Sequence, residues 1–192
     1  DILDISAIAS LRGIGDEGDH WRIGATSTWS DIVAAELPPL FDGLKAAARE
    51  IGGVQIQNAG TLAGNLCNAS PAADGVPPLL ALDARVEIAD TSGSTSVALA
   101  DFILGNRKTL LRANQLLTAI LIPKPVHAAR SHFAKLGARR YLVVSIVMVA
   151  ATLEVETGRV CAARVAVGAA SAVAQRLARL EAALIGKTCD AR

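Results

Sequence analysis

Aromatic side chains are scarce in this sequence, which has two Trp, three Phe and one Tyr among 192 residues. Few flat side chains are therefore available to stack on a planar ligand, so aliphatic and backbone contacts must hold one. A dominant charge sign is also lacking, because the formal net charge is +1. Since a nucleic-acid-binding surface needs a basic face for phosphates, the sequence argues against nucleic acid as a partner.

Cysteine is equally sparse, and Cys67, Cys161 and Cys189 lie far apart in the chain. No C-x-x-C pair occurs, so the sequence predicts neither metal ligands nor a cysteine-ligated iron–sulfur cluster. Unpaired thiols favour a cytoplasmic location. No apolar run is long enough to cross a bilayer, so no membrane insertion is expected.

Apolar residues make up 52% of the chain, enough for a well-buried core in one large domain or a main domain with a smaller one. Apolar spacing predicts a helix from about Thr28 and another over residues 40–50. The stretch 54–78 has no clear period and is predicted to be a long loop. After a linker at 123–130, strands at 131–136, 143–156 and 159–168 and a closing helix at 172–185 indicate an α+β lobe.

The segment NAGTLAGN, residues 58–65, is the first candidate binding element. Gly60 and Gly64 allow the backbone to approach a phosphate or polyol closely, while Thr61 and Asn65 add a hydroxyl and an amide. A bare G-x-x-x-G is more often a tight surface turn, and this segment is neither a P-loop nor a G-x-G-x-x-G motif.

Two further candidates carry charge. Asp74, in SPAADG, is either a helix cap for the turn that follows or an acceptor for sugar hydroxyls. Lys135 and Arg139 lie at the end of an apolar strand, where a solvated strand end is the default interpretation. The chain contains no nucleophile elbow, and its three histidines have no evident partners, so no catalytic residue is predicted.

Four segments together resemble the FAD-binding medium subunit of the xanthine dehydrogenase and carbon monoxide dehydrogenase family of molybdenum hydroxylases. They are IGAT at Ile23–Thr26, IGGVQIQNAGTLAGNLCNASPAADGVPPLLALDARVEI at Ile51–Ile88, RKTLLRANQLLTAILIP at Arg107–Pro123, and FAKLGARRYLVVSIVMVAATLEV at Phe133–Val155. The resemblance implies an FAD-binding domain at residues 1–125, representing its second subdomain. A smaller C-terminal α+β lobe with a three-stranded sheet and helices would follow at residues 126–192.

The family's functional residues carry over to matching positions of this chain. The resemblance implies that Thr61, Gly64 and Asn65, within the loop that begins at Gly60, hold the ribityl and pyrophosphate part of the flavin, and that Asp74 accepts from flavin hydroxyls. It implies further contacts with the isoalloxazine ring, for which the matching residues are Ile51 and Leu117 at its faces and Lys135 and Arg139 at its edge. A cation at that edge raises the flavin's reduction potential.

The implied activity is that of an oxidoreductase subunit that is not active alone. Electrons would pass from a molybdopterin large subunit through the [2Fe–2S] clusters of a small subunit to FAD, and then to NAD⁺ or another acceptor. The family's first flavin-binding subdomain, with its glycine-rich pyrophosphate loop, is expected before Asp1. We therefore expect the 192-residue chain alone to fold but to hold FAD weakly or not at all.

Two alternatives remain open at this stage. A flavin-free interaction or scaffold module could keep the fold and dock to partner subunits. A stand-alone flavoenzyme with its own small substrate is disfavoured, because no acid–base pair is evident.

Overall fold

The computed structural model describes residues 2–189 of the chain. Two short 3₁₀ helices, at Ala9–Leu11 and Pro39–Phe41, accompany the α-helices and strands. The α-helices are α1 Trp29–Ala34, α2 Asp42–Glu50, α3 Val54–Ala59, α4 Leu62–Asn68, α5 Val76–Ala81, α6 Leu99–Phe102 and α7 Ala178–Leu184. The strands are β1 Ile14–Asp16, β2 His20–Gly24, β3 Arg85–Asp90, β4 Gly93–Ala98, β5 Ile103–Gly105, β6 Lys108–Thr109, β7 Leu116–Pro123, β8 Ala129–Gly137, β9 Ser145–Glu156, β10 Arg159–Gly168 and β11 Gln175–Arg176.

Two antiparallel sheets organise the chain. The first sheet has the strand order β1-β2-β7-β3-β4, and the second has the order β11-β10-β9-β8. The second sheet contains the three long strands that the sequence predicts, and the two-residue β11 extends it at one edge. Together with the helices, these sheets confirm the α+β class.

A layer of helices lies between the two sheets. On α2, Leu44 joins a large core cluster with Ile23 and Ile120 of the first sheet. On the same helix, Ala47 joins a smaller cluster with Phe133 and Met148 of the second sheet. Helix α5 also contributes to both clusters. The helices therefore bury two faces, which requires a sequence rich in Ala and Leu rather than a single apolar stripe.

Local chemistry explains where α1 begins. The Thr28 side chain accepts a hydrogen bond from the Asp31 backbone N–H at 3.1 Å, and the Asp31 carboxylate accepts from the Thr28 N–H at 2.9 Å. This reciprocal capping box satisfies two N–H groups that the first turn leaves without helical partners. The predicted start near Thr28 is confirmed.

A polar cluster crosses the first sheet over β7. The Glu87 carboxylate on β3 accepts from the Thr118 hydroxyl at 2.6 Å and from the Arg22 guanidinium at 3.1 Å. The hydrogen bond from Thr118, followed by the bond and charge of Arg22, holds the pKa of Glu87 below its ordinary value. The folded state therefore favours the ionised form of this carboxyl.

Two predicted elements are wrong. The stretch 54–78 is mostly helical, because α3, α4 and the start of α5 occupy it. These helices are only six or seven residues long, too short to show a helical period among the Gly and Pro residues. The closing helix spans Ala178–Leu184 rather than 172–185, since Gln175–Arg176 pairs with β10 instead. Leu180, within this helix, is 44% exposed.

The helices among residues 2–189 are all too short or too polar to cross a membrane.

Candidate functional site

A cleft of about 700 Å³, here called the Thr61 cleft, opens beside the start of α4. Three of the nine residues predicted to contact a flavin, Thr61, Gly64 and Leu117, line it together. The other lining residues are Ile2, Leu3, Asp4, Ile5, Ser6, Arg12, Ala25, Thr26, Thr28, Asn58, Ala59, Ala63, Cys67, Leu111 and Leu116. The volume lies within the usual range for small-molecule and cofactor sites.

Backbone pairing between two distant segments forms one wall of this cleft. Thr28 and Thr61 form an isolated antiparallel bridge. Beside it, the Trp29 N–H donates to the Gly60 carbonyl at 3.1 Å, and the Leu62 N–H donates to the Ser27 carbonyl at 3.2 Å. These bonds fix the turn at residues 60–61 against the segment that leads into α1, so the wall is rigid.

The Thr61 hydroxyl has a structural role and retains capacity for a ligand. It accepts a hydrogen bond from the Gly64 N–H at 3.0 Å and thereby caps α4. Because a hydroxyl carries one donor and two acceptor positions, its proton is still available to another acceptor. Gly64 is exposed on the cleft, so its backbone can be approached closely, as the sequence predicts.

Gly60 has a different reason to be glycine. A Cβ at this position would lie 2.9 Å from the Ile56 carbonyl oxygen and 3.4 Å from a ring atom of Trp29. The buried indole of Trp29 fills the space that a side chain would need. Gly60 therefore serves packing, and it does not line the Thr61 cleft.

Asn65 contains an unsatisfied buried polar atom. Its Oδ1 has no hydrogen-bond partner among residues 2–189 and lies 2.8 Å from the position of a Cβ at Gly75. Leaving a buried acceptor unpaired costs about 1–3 kcal/mol. Asn65 does not line the Thr61 cleft, so this atom is an acceptor without a partner among the described residues, in the wall next to Gly75.

Asp74 and Lys135 form a buried ion pair across the two lobes. The Lys135 Nζ lies 3.0 Å from Asp74 Oδ2, and the two side chains are only 6% and 11% exposed. Lys135 also donates to the Glu50 carbonyl at 3.2 Å, and the Ser145 hydroxyl donates to Asp74 Oδ1 at 2.6 Å. The prediction that Lys135 ends a solvated strand is wrong, and Asp74 caps no helix, since no side-chain cap bond precedes α5.

A second pocket, of about 400 Å³ and here called the Lys135 pocket, lies beside the end of β8. Lys135, Arg139 and Arg140 line it together with Glu50. Arg139 donates to the Leu142 carbonyl through Nε at 3.1 Å. Within residues 2–189 it has no carboxylate partner, so its charge remains available at the pocket.

Ile51 and Leu117, the two residues predicted to contact the faces of the isoalloxazine ring, do not line the same cleft. Leu117 is buried on β7 and faces the Thr61 cleft. Ile51 is half-buried at the end of α2, next to the Glu50 carbonyl that Lys135 binds. The nine predicted residues thus fall into a group at the Thr61 cleft and a group near Lys135, with Asn65 and Gly60 in the wall between Trp29 and Gly75.

The structure adds cleft residues that the sequence analysis missed. Arg12 lines the Thr61 cleft and makes an ion pair of 3.0 Å with Asp31. Cys67 also lines the cleft, and burial raises the pKa of its thiol. No local motif marks Arg12; it reaches the site because the Leu11 carbonyl accepts hydrogen bonds from Thr26.

A larger cleft of about 960 Å³ runs between the 3₁₀ turn at Pro39 and the strands β8 and β9. Trp21, Pro38 and His127 are among its lining residues. None of the nine residues predicted to contact a flavin lines it, so volume alone does not select the functional site.

Comparison with known proteins identifies two family domains. Residues 1–125 match the FAD binding domain in molybdopterin dehydrogenase, and residues 132–192 match the carbon monoxide dehydrogenase flavoprotein C-terminal domain. The nicotinate dehydrogenase FAD-subunit of Eubacterium barkeri is 33% identical over 83% of this chain and 55% of its own length. The xanthine dehydrogenase FAD-binding subunit of Escherichia coli O157:H7 is 33% identical over 88% of this chain and 59% of its own length.

A solved structure extends the similarity to the fold. Carbon monoxide dehydrogenase from Hydrogenophaga pseudoflava superposes with a TM-score of 0.84 at 28% identity, covering 95% of this chain and 63% of that one. The chain thus spans a little more than half the length of the curated relatives it matches. With a family domain matched over residues 1–125 of 192, the chain belongs to the FAD-binding subunits of the molybdopterin dehydrogenase family.

Proposed function

We propose that the protein carrying this chain binds FAD along the Thr61 cleft and transfers electrons within a molybdenum hydroxylase. The observation that carries the proposal is the convergence, in one cleft, of Thr61, Gly64 and Leu117, which the family resemblance selects independently of the fold. The family domain that matches residues 1–125 is described as FAD-binding.

The residues present fit the cofactor. The Thr61 hydroxyl proton and the exposed backbone at Gly64 suit phosphate or ribityl oxygens. The unpaired Asn65 Oδ1 lies in the wall rather than in the cleft, and it would accept from a ribityl hydroxyl after a rotation of the side chain. Leu117 supplies an aliphatic wall, as the scarcity of aromatic residues requires. Arg12, which lines the cleft and pairs with Asp31 at 3.0 Å, adds a guanidinium that can donate to the pyrophosphate.

Bound FAD supplies the ability to take up and release electrons at a protein-tuned potential. The chain's own residues hold and orient the cofactor and exclude water from one face. We propose the [2Fe–2S] small subunit and the molybdopterin large subunit as partners, and NAD⁺ or another acceptor as the electron sink. The relatives support this assembly, since their names describe them as subunits.

The two basic residues near the Lys135 pocket take different roles in this proposal. Arg139 has no carboxylate partner among the described residues, so its charge can act on the ring edge. Lys135 is neutralised by Asp74 at 3.0 Å, so it acts mainly as a positioning residue that fixes Asp74. Both assignments, and that of Ile51 beside them, follow the family resemblance.

We also propose that residues 1–125 and 126–192 form two domains that fold as one body. The helix layer packs on both sheets, and the Asp74–Lys135 pair crosses the boundary. A cytoplasmic location stays a prediction from the unpaired cysteines.

The FAD affinity of the Asn65→Leu variant tests whether FAD binds along the Thr61 cleft. In the full-length protein this change should weaken FAD binding about three- to tenfold, the equivalent of one hydrogen bond. The melting temperature of the FAD-free protein should not fall, because the buried Oδ1 has no partner to lose. Fluorescence titration measures the first quantity and calorimetry the second.

Asn68→Leu is the matched control, since Asn68 lies on the same helix but is exposed and outside the cleft. Equal FAD affinity in wild type, Asn65→Leu and Thr61→Val would contradict placement of FAD in this cleft.

The flavin-free scaffold remains the second candidate, favoured by the buried pair, which leaves Asp74 and Lys135 satisfied without a ligand. An absorption spectrum of the purified full-length protein separates the two. Flavin bands that persist through gel filtration support FAD binding, whereas a colourless protein that binds no added FAD supports the scaffold.

A further inference from the structure

Three side chains of different chemistry converge at the hairpin end of the second sheet, away from the Thr61 cleft. They are His127 from the connector before β8, Glu156 at the end of β9, and Cys161 on β10. One ligand atom from each lies within 4.8 Å of the others, and the His127 Nδ1 lies 3.6 Å from the Glu156 carboxylate. The sequence predicts no metal ligands, because no C-x-x-C pair occurs. The fold nevertheless brings together His127 and Glu156, which are 29 positions apart, and Cys161, which is 5 positions after Glu156.

The connector that carries His127 is held in place by a buried carboxylate. Glu154 accepts from the backbone N–H groups of Val126 and His127, each at 3.1 Å. The same carboxylate pairs with Arg164 at 2.6 Å, and its side chain is 6% exposed. Residue 127 therefore continues the β8 register, in which Ala129 faces Glu154, and lies next to Glu156.

A β-bulge brings Cys161 to the same place. The β9–β10 register pairs Val160 with Val155 and Ala162 with Glu154, so Cys161 is the extra residue. A bulge redirects the side chain of the inserted residue and is common beside functional sites. Without it, Cys161 would follow the strict alternation of the strand.

The ligand atoms are not committed to strong partners. Among the described residues 2–189, the Cys161 Sγ has only a long contact of 3.6 Å, to the Arg159 carbonyl. Arg159, which faces Glu156 across the hairpin, directs its guanidinium to the Gly186 carbonyl at 2.9 Å instead. The side chains of His127 and Glu156 are 33% and 61% exposed, so solvent ions can reach them.

The set of one imidazole, one thiolate and one carboxylate matches the ligands that Zn²⁺ prefers. In a tetrahedral site with Zn–N, Zn–O and Zn–S bonds of about 2.0–2.3 Å, neighbouring ligand atoms lie about 3.4–3.6 Å apart. The His127–Glu156 separation of 3.6 Å already meets this value. The Cys161 Sγ lies within 4.8 Å of both atoms, so a shift of its side chain toward them would complete the site.

We propose that His127, Glu156 and Cys161 bind one Zn²⁺, with water in the fourth position, and that the ion clamps the connector before β8 to the β9–β10 hairpin. Binding forms a zinc–sulfur bond and releases the Cys161 thiol proton to solvent, without oxidation or reduction. The site uses none of the residues assigned to FAD, so it stands or falls separately from the proposed function.

The Zn²⁺ affinity of the site can be measured by letting the metal-free, chelator-treated protein compete with a chromophoric chelator for Zn²⁺. The wild-type protein should take up one Zn²⁺ per chain, and Co²⁺ in its place should show a thiolate charge-transfer band. Cys161→Ser and His127→Gln should each weaken Zn²⁺ binding at least about tenfold and remove or shift that band. Zn²⁺ should also raise the wild-type melting temperature, because it binds only the folded arrangement.

Cys189→Ser and His132→Gln are the matched controls, since they remove an exposed thiol and an exposed imidazole outside the cluster. Both should bind Zn²⁺ like the wild type. The proposal is overturned if Cys161→Ser binds as tightly as the wild type, or if Cys189→Ser loses as much affinity. Circular dichroism without metal checks that each variant is folded before its affinity is compared.

Discussion

Replacing Lys135 with Met removes one charge of the buried pair with Asp74 and keeps the length of the aliphatic stem. Asp74 then keeps the Ser145 hydroxyl at 2.6 Å but loses the ammonium group at 3.0 Å. A carboxylate that is 11% exposed cannot recover this interaction from water. The variant therefore leaves an uncompensated buried charge.

The loss of stability expected for Lys135→Met follows from the burial of the pair. Breaking a buried ion pair by removing one partner costs about 3–5 kcal/mol, whereas an exposed pair contributes about 0–1 kcal/mol. At about 2–4 °C per kcal/mol for a protein of this size, the melting temperature should fall by about 6–20 °C. On a solvated strand end, the default interpretation of the sequence for Lys135, the loss would be small.

A double-mutant cycle of Lys135→Met, Asp74→Asn and the double variant, measured by urea denaturation, isolates the pair. The double variant should lose far less stability than the sum of the single variants, because neither charge is then left alone. Lys124→Met is the control, since Lys124 pairs with Asp16 at the surface with side chains 35% and 46% exposed. If Lys135→Met costs no more than Lys124→Met, or if the single effects add, the pair is not buried in solution as described.

Three further predictions concern other parts of the chain. The folded state lowers the pKa of Glu87, so the contribution of this carboxylate to stability is complete above the unfolded carboxyl pKa of about 4.3 and is lost as the pH falls through the lower folded value. Glu87→Gln should therefore flatten the pH dependence of the free energy of unfolding in that acidic range. An unchanged slope would contradict the assignment. Burial raises the pKa of Cys67, so iodoacetamide should alkylate Cys67 much more slowly at neutral pH than it alkylates the exposed Cys189. Added FAD should slow the alkylation of Cys67 further, and peptide mass spectrometry measures both rates. Gly75→Ala would place a Cβ 2.6 Å from the Trp29 ring, which should lower the free energy of unfolding by about 1–3 kcal/mol and change the Trp29 fluorescence. Unchanged stability and fluorescence would show that the segment relaxes without strain.

Elements with a clear apolar period are predictable from the sequence. The strand predicted at 159–168 has the observed bounds Arg159–Gly168, and the helix predicted at 40–50 contains α2. Each of these segments buries side chains at regular intervals, so its apolar residues recur with the period of a helix or a strand. The short helices α3 and α4 bury too few side chains to show such a period.

The candidate site is predictable only in part, because its contacts are tertiary. The Thr61 and Gly64 positions follow from the local motif and the family resemblance. The partner of Asp74 does not, since Lys135 lies 61 positions later in the chain. Arg12 reaches the cleft through backbone pairing with the segment before α1, which no local pattern reveals.

The buried pair links the segment beside the Thr61 cleft to the second lobe. Asp74 follows α4, whose first turn borders the Thr61 cleft, while Lys135 and Ser145 belong to β8 and β9 of the second sheet. Any shift of the second sheet must therefore move Asp74 or break a buried charge pair, at a cost of about 3–5 kcal/mol. Because that cost is a large fraction of the stability of a domain, the second sheet holds the segment after α4 in one position.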